Sequence, residues 1–149
     1  MKRDHSTLLA KSKRPSRQLP ALTTDTRAFW TGGEHAALLI NRCQDCHHYH
    51  HPPAPICHVC LSKRIQPVAV AGRGSIVSFT INHQAWVPDL TVPFVIAYVA
   101  IDEQSDVWLM SNIIGCSPDH VFIGQRVRVC FEQQEDLWVP LFTPEAAGD

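Results

Sequence analysis

No stretch of this 149-residue chain approaches the ~20 consecutive apolar residues that a bilayer-spanning helix requires. Near the amino terminus Leu8-Leu9-Ala10 is cut off by Lys11, well short of a signal-peptide core of about 7–15 residues, so a cytoplasmic protein is expected. An excess of one charge is missing as well. Thirteen Lys and Arg face 14 Asp and Glu, a net charge of -1, which excludes a surface that seeks polyanions throughout. Internal repeats are absent, and no Ser, His and Asp fall at the spacing of a nucleophile motif. His83 and Asp89 share a loop and His120 follows Asp119; each reads as a surface group. With 45% hydrophobic and 18% charged residues, the chain can build a core as one ordinary domain or two very small ones.

The balanced total hides an asymmetry. Residues 1–20 carry Lys2, Arg3, Lys11, Lys13, Arg14 and Arg17 against Asp4 alone, which leaves the other 129 residues at -6. Residues 1–24 therefore read as a basic flexible arm on a mildly acidic body. A short helix is expected over 25–36, capped by Thr24 or Asp25, carrying Phe29 and Trp30, and ended by Gly32-Gly33.

Six cysteines in a reducing compartment point to metal rather than disulfides when they are closely paired. Cys43-x-x-Cys46 and Cys57-x-x-Cys60 are separated by ten residues. Two such knuckles on adjoining hairpin tips let four thiolates converge tetrahedrally, the arrangement of a structural zinc ion. Four protein ligands leave no open position for water, so the ion would hold residues 37–66 together rather than catalyse. Iron in a rubredoxin-like site is the chemical rival. Cys43-x-x-Cys46-His47 also matches the haem-attachment pattern, but the second pair and the missing export signal argue against it. His47, His48, His50, His51 and His58 crowd the same segment and read as a solvated loop beside a completed site, with His47 and His58 able to orient thiolates. Cys116 and Cys130 read as small buried hydrophobes.

From residue 67 to 144 the text becomes strand-like: Gly72–Asn82, Phe94–Ile101, Val107–Ile114, Gln125–Glu132 and Leu137–Phe142. In the first of these Val77, Phe79 and Ile81 face one way and Ser78, Thr80 and Asn82 the other. In the fourth Val127, Val129 and Phe131 oppose Arg126, Arg128 and Cys130. The acidic turn Asp102–Asp106 closes a hairpin, a helical turn begins at Ser117-Pro118-Asp119, and 145–149 is a tail. Five short strands with a helical turn before the fourth suggest a mainly β protein with a small closed barrel of the OB type; an open sandwich is the competitor.

From Phe29 to Pro144 the chain resembles the small proteins in which a rubredoxin-like zinc ribbon precedes a five-stranded OB barrel and which accompany thiolases, thiolase-like aldolases and acyltransferases. The resemblance runs through Phe29-Trp30, Arg42-Cys43-x-x-Cys46, Pro52-Pro53, Cys57-x-x-Cys60 and Gly72-Arg73-Gly74-Ser75-Ile76-Val77-Ser78-Phe79-Thr80. It continues in Pro93-Phe94, Ile101-Asp102-Glu103, Ile123-Gly124-Gln125-Arg126-Val127 and Leu141-Phe142-Thr143-Pro144. His47, Ala54, His58 and Gln104 replace a glycine, an arginine, a proline and a hairpin glycine of that pattern; all four cysteines remain.

The resemblance implies a subunit with no chemistry of its own that docks on a thiolase-fold enzyme and completes its acyl-CoA or acyl-carrier channel. Arg73 would then lie near the CoA path as a forked phosphate donor. The residues agree at one point: strands apolar on both faces need a second cover, and Phe94, Ile96, Tyr98, Trp108, Met110, Trp138 and Phe142 fall on those second faces. With Phe29 and Trp30 they form the candidate partner interface, although that helix could itself cover the face. Single-stranded nucleic acid is the alternative partner for an OB fold, disfavoured by an acidic body whose strands offer only Arg73, Arg126 and Arg128 as cations. An independent enzyme is the third reading, and no motif supports it.

Overall fold

The computed structural model describes residues 17–146; the expected arm at 1–16 and the end of the tail, 147–149, lie outside the described residues. The helix α1 spans Arg27–Thr31, one residue after its N-cap Thr26. Thr23 and Thr26 bond across its start, Thr26 N to Thr23 Oγ1 at 3.2 Å and Thr23 N to Thr26 Oγ1 at 3.0 Å. Gly32 ends the α-helix as its C-cap, as expected, but not the helical path. It opens a 3-10 turn, Gly32–His35, and the left-handed residue is Ala36 at φ 56°. The glycines answer to packing instead: a Cβ on Gly33 would lie 2.5 Å from Phe131 Cδ1.

A three-stranded antiparallel sheet follows, built from β1 (Leu38–Cys43), β2 (Tyr49–His50) and β3 (Ile65–Val70) in the order β2-β1-β3. Leu38 pairs with Val70 and Cys43 with Ile65, so the central strand carries the first cysteine to the sheet's end. Leu38 and Ile40, each 1% exposed, join the barrel's core, which makes the ribbon and the barrel one packed body.

Five strands form that barrel: β4 (Arg73–Asn82), β5 (Phe94–Ile101), β6 (Gln104–Ile113), β7 (Arg126–Gln134) and β8 (Leu137–Pro144). It is closed in the order β4-β5-β6-β8-β7, the OB arrangement, and the open sandwich is ruled out. β4 meets β7 through Arg73↔Arg128 to Ser75↔Arg126. β6 and β8 touch as a short parallel pair at Ile113↔Phe142, the weakest seam of the barrel. Ile76, Val99, Leu109, Val127, Phe131 and Phe142 fill the interior at 0–1% exposure.

Several details differ from the sequence expectations. Ile76 pairs with Val99 and Ser78 with Tyr98, so Val77 is the extra residue of a β-bulge, and Ile76 fills the barrel in its place. Phe142 points inward, fully buried, rather than onto the second face. The β5–β6 turn is only Asp102-Glu103, because β6 already begins at Gln104. Alternation in β7 fails where Cys130 and Glu132, 7% and 2% exposed, are covered as fully as Phe131.

Candidate metal centre and docking face

The two knuckles repeat one backbone design. His47 N donates to Cys43 O at 3.0 Å and Leu61 N to Cys57 O at 2.9 Å. Cys43 N donates to His48 O and Cys57 N to Ser62 O, both at 2.9 Å. The residue after the second cysteine of each pair is left-handed, His47 at φ 64° and Leu61 at φ 61°. Glycine would take this conformation without strain; histidine and leucine accept it because the surrounding bonds fix the turn. The first knuckle caps β1, and the second lies in the β2–β3 connection rather than on a hairpin tip.

These turns bring the Sγ atoms of Cys43, Cys46, Cys57 and Cys60 within 4.8 Å of one another. Cys43 and Cys60 stand 3.6 Å apart and Cys46 and Cys57 3.5 Å. A tetrahedral zinc with bonds of ~2.3 Å spaces its sulfurs about 3.8 Å apart, so the four thiols already stand close to the spacing the ion needs. Val59 N and Cys60 N aim at Cys57 Sγ at 3.4 and 3.5 Å, donors that stabilise a thiolate. Backbone hydrogen bonding from Cys46, set against burial and joined by Asp45, brings the Cys43 thiol down to about 6. An ion here would tie β1 to the β2–β3 connection, and four sulfurs would complete its coordination.

Of the neighbouring histidines, His47 and His58 are exposed as expected, but His48 and His51 are half-buried and His50 is buried. His50 is 4% exposed, its Nδ1 lies 2.9 Å from His58 Nδ1, and the rings of His48, His50 and His58 pack against one another. Burial first, then the His58 and His48 imidazoles, hold His50 below the usual histidine range. The His51 ring packs at a 42° tilt against Phe29, centroids 4.8 Å apart, and burial pulls it down to about 4.

Gln104 joins this corner to the barrel. Its Oε1 accepts Tyr49 N at 2.9 Å, and its Nε2 donates to Asp106 Oδ1 at 2.8 Å and to His48 Nε2 at 3.0 Å. The side chain that replaces the expected hairpin glycine is therefore a tether, 55 residues from its target.

On the barrel, the candidate interface residues separate. Phe29, 8% exposed, belongs to the core and packs edge-on against Trp30 at 4.8 Å, so it is closed to a partner. Trp138 packs against the core, and the helix lies on β8. The helix thus covers the β8 side of the second face. The outer face of β5 and β6 stays open: Tyr98 is 44%, Trp108 49% and Met110 66% exposed, with the Tyr98 and Trp108 rings 6.0 Å apart. Beside them Trp30, Phe94, Ile96, Met110 and Val139 line a cleft of about 850 Å³ whose far wall is Arg17–Pro20. Arg17 reaches Asn112 Oδ1 at 3.0 Å and the buried carboxylate of Glu132, an anchor that nothing local in the sequence signals.

Arg73 is 44% exposed, with its Nε 3.4 Å from Glu145 Oε1. Arg126 grips Asp102 with two bonds of 2.6 and 2.5 Å. The Arg126 hydrogen bonds, opposed by slight burial and aided by its charge, hold the Asp102 carboxyl below the usual range. Cys130 is buried as expected, and burial pushes its thiol up to about 11; Cys116 is only partly buried. Among the described residues no helix is long and apolar enough to cross a membrane.

A cysteine-rich ribbon packed on a closed five-stranded barrel defines the class: a rubredoxin-like zinc ribbon with an OB fold. Residues 30–66 match the model of the ChsH2 rubredoxin-like zinc ribbon domain, and residues 67–132 that of the ChsH2 C-terminal OB-fold domain. The chain belongs to the DUF35 family. It is similar to the structure titled Ltp2-ChsH2(DUF35) aldolase, with a TM-score of 0.75 and 33% identity over 85% of this chain and 98% of that one. It is 32% identical over 129 residues to a probable enoyl-CoA hydratase alpha subunit of Thermomonospora curvata, covering 86% of this chain and 40% of the relative. It is 38% identical over 126 residues to the 3-oxo-4,17-pregnadiene-20-carboxyl-CoA hydratase alpha subunit of Mycobacterium tuberculosis, covering 85% and 40%. The chain therefore spans 40% of the length of these two hydratase subunits.

Proposed function

We propose that this protein is a non-catalytic accessory subunit that docks on a thiolase-fold, acyl-CoA-processing enzyme and completes its substrate channel. The observation that carries the reading is the uncovered apolar outer face of β5 and β6, where Tyr98, Trp108 and Met110 lie beside the apolar cleft. Exposed aromatic patches of this kind are typical anchors of protein interfaces. The names of similar proteins, an aldolase with a DUF35 component and two acyl-CoA hydratase alpha subunits, support acyl-CoA metabolism as the setting.

In this reading the four cysteines hold zinc, which stabilises the ribbon and takes no part in turnover. Trp30, Phe94, Tyr98, Trp108 and the rim of Trp138 meet the enzyme. Arg73, beside Arg128 and near Arg126 at one end of the barrel, exchanges Glu145 for a phosphate of the CoA moiety. The nucleic-acid alternative loses support because Arg73 and Arg126 are already paired with carboxylates.

Co-expression of the full chain with the thiolase-fold enzyme encoded nearest to it tests the proposal. A complex of constant stoichiometry in light scattering after size-exclusion chromatography is expected. Elution of the chain as a monomer, apart from the enzyme, would overturn it.

A further inference from the structure

The histidine cluster of the ribbon supplies none of the four thiols of the cysteine centre, yet it is built into the fold. Its ring centroids are 4.7 Å (His50 to His58), 5.1 Å (His48 to His58) and 5.4 Å (His48 to His50) apart. Three imidazoles bound to one tetrahedral ion through bonds of ~2.0–2.1 Å have centroids about 5 Å apart. His50 and His58 already turn the same nitrogen toward each other, Nδ1 to Nδ1 at 2.9 Å. Two ring nitrogens on one such ion stand about 3.3 Å apart, so the pair has to open by only a few tenths of an ångström.

We propose that His48, His50 and His58 form a second metal site, which takes a divalent, imidazole-seeking ion such as zinc, nickel or copper beside the tetrathiolate centre. Its position has a structural logic. His50 lies in β2, His58 in the second knuckle and His48 at the end of the first, so one ion joins all three segments. His48 is the ligand that must turn. Its Nε2 now accepts from Gln104 Nε2, which places its proton on Nδ1. Coordination through Nδ1 moves that proton to Nε2, so the ring has to turn its Nε2 away from the Gln104 amide nitrogen, which can only donate, and toward Asp106 Oδ2, now 3.9 Å away. A carboxylate that orients the far nitrogen is the usual support of a metal-bound histidine. Binding also ends the contact of two facing Nδ1 atoms, in which one ring must donate to the other.

Metal stoichiometry of the tag-free full chain, equilibrated with excess cobalt(II) and desalted, tests the proposal. Two cobalt ions per chain are expected. The first brings intense thiolate-to-cobalt charge transfer, and the second adds only the weak visible bands of nitrogen ligands. His58→Ala and His48→Gln, both at accessible rings, should each reduce the count from two to one and keep the charge-transfer band, which also reports that the ribbon is folded. His83→Ala and His120→Ala should leave it at two. One ion in the unaltered chain, two ions retained in both His58→Ala and His48→Gln, or added thiolate charge transfer with the second ion would each overturn the assignment.

Discussion

Arg17 Nε lies 2.5 Å from Glu132 Oε1, a contact across 115 residues that carries the chain's N-terminal segment onto the barrel. The carboxylate is 2% exposed and the guanidinium 25%, so Glu132 depends on Arg17 and on Gln134 Nε2 at 3.0 Å for its compensation. A buried polar group stripped of its partner costs about 1–3 kcal/mol, and a charged one at least as much. Arg17→Ala should lower the unfolding free energy by that amount in urea titrations. Glu132→Gln in the same background should recover part of the loss, because it removes the orphaned charge. Equal stability of Arg17→Ala and the unaltered chain would contradict this pairing.

Much of the architecture was readable from spacing: the paired cysteines, the five strands and the β5–β6 hairpin follow from local pattern and turn chemistry, whereas the choice of closed barrel over open sandwich rests on the strand pairing. What stayed hidden depends on segments far apart in the chain. The Val77 bulge adds one residue without disturbing an apolar run, so periodicity alone put Val77 on the face that Ile76 occupies. Phe142 and Trp138, both expected on the second face, part because the helix covers Trp138 from outside while the barrel draws Phe142 inward. Glu132 gave no local sign of its burial because its partner is 115 residues away, and Gln104 looked like a mere glycine replacement because Tyr49 is 55 residues away. The mutual contacts of His48, His50 and His58 stayed hidden because only the fold brings their rings together.

Removal of the tetrathiolate ion should uncouple the ribbon from the barrel. Structural zinc contributes about 10–16 kcal/mol of apparent binding energy in small domains, far more than a ribbon of this size gains from its own core. Cys57→Ser should lose the ion and amide-exchange protection across residues 49–65, while β5 and β6 stay protected. Zinc rather than iron is the metal expected from elemental analysis of the tetrathiolate site.

Asp102 gives the stability a defined acid limb. Its carboxyl is held below the ordinary value by Arg126, so the pair stabilises the folded state above the unfolded carboxyl pKa of about 4, and that contribution fades as pH falls through the lower, folded value. Asp102→Asn should leave a shallower decline of melting temperature below pH 4 than the unaltered chain shows. An unchanged slope would contradict the role given to the pair.

Trp108 separates folding from docking. Its ring is 49% exposed, and its Nε1 donates to Ser105 O at 2.9 Å. Trp108→Ala should change the monomer's stability by about 1 kcal/mol or less and weaken the complex with the enzyme at least tenfold, the behaviour of an interface anchor. Titration calorimetry with the purified enzyme reads the difference.

The most direct measurement is turnover of the acyl-CoA substrate by the separately purified thiolase-fold enzyme, by this chain, and by the two together. An accessory subunit predicts no turnover from the chain, little from the enzyme, and full activity only on mixing. Turnover by the chain alone, or an enzyme equally active without it, would contradict the account.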